Sequence, residues 1–155
     1  MTRKTQTANA DSDAQKSKPE RPVLLFKKND LLSNAKYGQN FRLENMIYDL
    51  DRYYRLYVAN NIPSTQRDLR IHMFEEIYHL HEDVFSATFT KGNIRRKHLS
   101  EMKKHMSLVD MLLRHLGEHK YVKAQKIEHC SALLCEIKTI VYGWVKREEL
   151  ASKTK

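Results

Sequence analysis

Residues 124–147 read AQKIEHCSALLCEIKTIVYGWVKR. Within this stretch Ile127, Cys130, Leu134, Ile137, Val141 and Trp144 recur at three- and four-residue steps. Such steps line one face of an α-helix, whereas a half-buried strand would alternate every second residue. Leu133 and Ile140 flank the row, so the apolar face is wider than a narrow seam. A helix with so wide an apolar face must bury it against other elements.

Working back from it, Leu99, Met102, Met106, Val109, Leu113 and Leu116 form a second such row, with Gly117 as its expected end. An earlier helix carries Leu69, Met73, Ile77, Leu80 and Val84, with Phe74 and Phe85 widening its stripe. Ser64 is its expected N-cap, and Lys91-Gly92-Asn93 its end, with Gly92 as the left-handed C′ residue. The first helix opens near Phe41 and carries Leu43, Met46, Ile47, Leu50, Tyr53, Tyr54 and Tyr57. Asn60-Asn61-Ile62-Pro63 stops it. Helices of roughly 20–28 residues with short connections make sequential neighbours antiparallel. The expectation is an all-α chain, an up-down-up-down four-helix bundle over residues 41–150. Only 4 glycines and 3 prolines in 155 residues fit that reading and not a turn-rich sandwich. Residues 1–40 are expected to be a flexible basic tail, and 151–155 a disordered C-terminus. Residues 1–22 hold no large aliphatic side chain after Met1 to offset the entropy of ordering. The cluster Val23-Leu24-Leu25-Phe26 docks on the body or a partner, or is part of the linker.

The formal charge is +9 and is unevenly spread. Residues 41–90 are net −3, whereas residues 91–126 hold ten basic and three acidic groups. At about 100° per residue, Arg96, Lys103 and Arg114 fall on one line roughly 27 Å long, turned away from the apolar face. Lys97 and Lys104 lie beside it, Lys120, Lys123 and Lys126 extend it, and Arg95 sits off the line in the first turn. These nine cations are the candidate contacts to a nucleic-acid backbone. The competing reading is a solvated Lys-rich face. Gly143 and Trp144, near the end of the last helix, are the candidate contact between subunits, because glycine admits close approach.

Other chemistry is thinly represented. His79 and His81 are two apart, about 200° on a helix, and cannot chelate together. His115 and His119 have ligand spacing, but Gly117 between them is expected to end the helix. No metal site and no cofactor are expected. Cys130 and Cys135 make no CxxC pair and no disulfide framework. Arg114 followed by His119, or Arg67 by His72, fits the loose Arg-then-His spacing of HEPN-type helical ribonucleases. That spacing keeps an RNA-cleaving toxin as an alternative, beside a plain helical interaction module. There is no Ser-His-Asp order or phosphate loop, and no catalytic residue is assigned. No apolar run approaches a membrane span and the N-terminus lacks a secretory h-region, so a cytoplasmic protein is expected.

The stretch Ile62-Pro63-Ser64-Thr65-Gln66-Arg67-Asp68-Leu69-Arg70, then Leu112-Leu113-Arg114-His115-Leu116-Gly117, then Ile140-Val141-Tyr142-Gly143-Trp144 resembles the Avd family. These are the accessory variability determinants of bacterial and phage diversity-generating retroelements, related to the proteins encoded in ribosomal-RNA intervening sequences. The likeness covers about residues 43–147. It implies a four-helix bundle assembled as a homopentamer. It also implies binding to a reverse transcriptase and to its RNA or DNA, in support of mutagenic retrohoming and without catalysis. The candidate contacts above rest on the charge map alone.

Overall fold

A computed structural model describes residues 38–154. Expectations for residues 1–37, including the Val23–Phe26 cluster, lie outside the described residues. Among the described residues there is no strand, and four helices hold most of them. They are α1 (Gly38–Tyr53), α2 (Arg67–Thr88), α3 (Gly92–Glu118) and α4 (Ala124–Lys153). α1 packs against α2 and α4, and α3 packs against α2 and α4.

The predicted apolar rows meet in one core. Leu43, Ile47 and Leu50 of α1, Ile77 and Leu80 of α2, Met102 and Met106 of α3, and Ile137 and Val141 of α4 are fully buried. Each such side chain stabilises the fold by about 1.5–3 kcal/mol relative to leaving it in water. Phe85 is the exception to the expected rows. It is half exposed, whereas Phe74 packs against the core.

The helix ends differ from expectation in instructive ways. α1 passes into a π-helical turn at Tyr54–Val58 and a 3-10 turn at Ala59–Asn61. Ile62 is then extended, as a residue before proline prefers. The buried Tyr54 hydroxyl donates to the Arg70 carbonyl at 3.0 Å, which joins this turn to α2. Ser64 does not cap α2. It opens a 3-10 turn, Ser64–Gln66, and Gln66 stands at the N-cap without a side-chain bond. Gly92 has the expected positive φ of 61°, but α2 already ends at Thr88, so Gly92 begins α3 instead.

α3 runs straight through Gly117. Its end is made three residues later by Lys120, with φ 57°. The Tyr121 N–H donates to the Leu116 carbonyl and the Lys120 N–H to the Gly117 carbonyl, both at 3.1 Å. That pair of bonds is the Schellman C-cap, normally built on glycine. α4 continues through residues 151–153, which were expected to be disordered. Glu148 is tied to α3, and Ser152 donates to the Glu149 carbonyl, so the last turns are held.

Candidate nucleic-acid interface

α3 positions most of the candidate cations, because its apolar row fixes which side faces out. Lys97, Lys103, Lys104 and Arg114 are exposed along it, and Lys120 and Lys123 are exposed in the turn that follows. Lys126 is half-buried in the first turn of α4. Their acidic neighbours are few. Lys104 lies 3.0 Å from Glu101, and Arg114 lies 3.9 Å from Asp110, which also meets Lys138 at 3.6 Å. Exposed pairs of this kind are weak and exchange readily for a phosphate. The Lys103 ammonium stands 5.7 Å from the centre of the Tyr142 ring, itself half exposed on α4. That pairs a cation and an aromatic face on one surface. Arg96 is half-buried, and its guanidinium donates to the Asn93 side chain.

Arg95 does not belong to this surface. Its guanidinium donates to the Ala87 carbonyl at 2.8 Å, pairs with Glu148 at 2.7 Å and lies over the Trp144 ring. The reason is its position about 100° off the cationic line, facing the α2 end and α4. Trp144 is 4% exposed and sits in the protomer's own core. Gly143 remains partly exposed, and an added Cβ there would meet only the tip of Arg147, at 3.6 Å. Among the described residues, no other element makes the close approach that glycine would permit.

The histidines separate as their spacing requires. His79 pairs with Glu82 and stacks on His105 of α3, whereas His81 turns to Asp51 of α1. His115 and His119 are brought together, because the helix does not stop at Gly117. Their rings are 4.1 Å apart, and Tyr121 lies 5.5 Å beyond His119. Arg114 lies 3.9 Å from Asp110, while His119 joins this ring cluster. Arg67 and His72 are both exposed, and His72 pairs with Glu75. Among the described residues no group of three His, Cys, Asp or Glu could hold a metal ion. Burial pushes the Cys130 thiol up to about 12, which leaves it inert, and Cys135 is exposed.

Three features escape the sequence reading. Asp83 and His105 meet at 2.6 Å between α2 and α3, where burial pushes the Asp83 carboxyl up while His105 opposes that shift. Asp49 is 1% exposed, with no hydrogen-bond partner on either oxygen among the described residues, and burial pushes its pKa up to about 6 against the pull of Arg52. Ile71, Tyr78 and Phe85 are exposed along α2, and Phe89, at the cap just past Thr88, is 80% exposed. Steps of seven keep the first three within about 40° of each other on the helix. That heptad spacing was legible, but Phe85 was assigned to the core.

No helix among the described residues is long and apolar enough to cross a membrane. No family model, curated protein or solved structure matches the chain.

Proposed function

We propose that the chain is a non-catalytic nucleic-acid-binding scaffold, built as an antiparallel up-down-up-down four-helix bundle. Paired positions support the topology. Asp51 meets His81 and Tyr54 meets Arg70; Asp83 meets His105 and Ala87 meets Arg95; Arg95 meets Glu148 and Asp110 meets Lys138. In each pair of helices, residue numbers fall on one as they rise on the other.

The observation that carries the function is the exposed run Lys97, Lys103, Lys104, Arg114, Lys120 and Lys123, faced by few acids. A row of cations along a rigid helix neutralises backbone phosphates without reading bases. In the terms of the Avd resemblance, the ligand is the RNA template or its complementary DNA. The protein partner is a reverse transcriptase, and the scaffold is a homo-oligomer of five cytoplasmic subunits. The exposed apolar row on α2 supports self-association, since a contiguous apolar patch on a surface marks an interaction site.

The test is light-scattering mass of the purified protein, together with analysis of the nucleic acid and protein that co-purify from its native cell. The expected result is a particle of about five subunits carrying nucleic acid and a reverse transcriptase. A bare monomer with neither would return the chain to a plain helical interaction module.

A further inference from the structure

Resting on the nucleic-acid reading above, we infer that His115, His119 and Tyr121 form a stacking seat for an unpaired base of single-stranded nucleic acid. The neighbouring Arg114, Lys120 and Lys123 hold the adjoining phosphates. The three rings form a continuous group at the end of α3, with centroids 4.1 Å and 5.5 Å apart in succession. His119 is exposed, while Tyr121 rests against the core, which fixes its ring in advance of any ligand. Nδ1 of His119 sits 3.0 Å from the His115 carbonyl, which fixes a second ring. A rigid aromatic platform at the end of a cationic track is the arrangement by which single strands are held without sequence preference. A paired base has both faces covered by its neighbours in the duplex, so only an unpaired base can use the seat.

The backbone supplies a second, independent observation. Lys120 occupies the left-handed position of the Schellman cap, where glycine avoids a steric cost that lysine bears. Strained backbone of this kind concentrates where function demands a particular side chain. Lys120 is exposed and stands in the chain between His119 and Tyr121, two of the three rings.

The experiment measures fluorescence anisotropy of the full chain with three labelled probes of equal length: a single-stranded oligonucleotide, the same strand carrying abasic sites, and a duplex. His119→Ala combined with Tyr121→Leu keeps an apolar side chain against the core while removing two rings. It is expected to weaken binding of the base-bearing single strand by about five- to a hundredfold, the range for loss of one stacked base. Affinity for the abasic strand and for the duplex is expected to stay within about twofold, a negligible change on that scale. Lys120→Gly is expected to weaken all three probes while the melting temperature holds or rises. Equal losses on all three probes in the ring variant, or no loss on the base-bearing strand, would overturn the seat while leaving the cationic track standing. A wild-type protein that binds none of the probes would overturn both.

Discussion

The guanidinium of Arg95 lies 2.7 Å from the Glu148 carboxylate, joining the first turn of α3 to the end of α4. The same side chain donates to the Ala87 and Thr88 carbonyls at the end of α2 and covers Trp144. One arginine therefore closes one end of three helices. It satisfies carbonyls that the end of α2 leaves without intrahelical partners. The cation that sequence grouped with the binding track is a structural one.

Replacing Arg95 by Met keeps the stem over Trp144 but strands Glu148 and two carbonyls. With 21% and 16% of the two side chains exposed, the loss is expected to be about 2–3 kcal/mol, below that of a fully buried pair. Urea denaturation measures it. Nucleic-acid affinity of the folded variant is expected to be unchanged.

Asp49 gives a pH signature. Its pKa is raised to about 6 in the folded protein, so folding favours its protonated form. A raised carboxyl withdraws stability as pH climbs from the unfolded value to the folded one, and the loss is complete above about 6. Asp49→Asn is therefore expected to stabilise the protein by about 1–3 kcal/mol at pH 7, with the gain vanishing toward pH 4. Melting curves at the two pH values check the sign. A gain that grows on acidification would contradict it.

The core was legible because periodicity alone decides which side of a helix faces in. Ile77, Met106 and Val141 needed no other signal. Chain ends were less legible, because they depend on which residue accepts a left-handed backbone. Gly117 looked like the terminator, and Lys120 is the one that serves. That single difference hid the ring cluster, since His115 and His119 meet only on an unbroken helix. The contacts of Arg95 and the pairing of Asp83 with His105 join residues on different helices. Their registers follow from packing, which no local pattern in the sequence records.

Gly143 tests self-association separately from folding. Among the described residues beyond its own turn, only the tip of the long Arg147 side chain comes within 4 Å of an added Cβ. Gly143→Ala should then stabilise α4 by about 0.5–1 kcal/mol through helix propensity alone. Gly143→Leu should fold equally well but lower the light-scattering mass if subunits meet there. A Leu variant that unfolds would contradict the open surroundings of Gly143.

The apolar row on α2 makes a parallel prediction. Changing Phe85 and Phe89 together to Ser removes exposed surface and touches no fully buried side chain. Stability should move by no more than about 0.5 kcal/mol for Phe89 and by about 1 kcal/mol for half-exposed Phe85. The sedimentation coefficient should fall to that of a smaller particle. An unchanged assembly would remove the α2 row from the subunit contact.

The central claim is that the cations of α3 hold a nucleic-acid backbone. The most direct measurement is the affinity for a single-stranded oligonucleotide across a series of salt concentrations, for the wild type and for Lys97→Glu, Lys103→Glu and Arg114→Glu combined. Each neutralised phosphate steepens the log–log slope by about 0.7 on single strands. The expected result is a steep wild-type slope, and a triple variant whose slope is shallower by about 2 and whose affinity is lost, with native circular dichroism. A wild-type affinity indifferent to salt, or a triple variant that binds as tightly as the wild type, would contradict it.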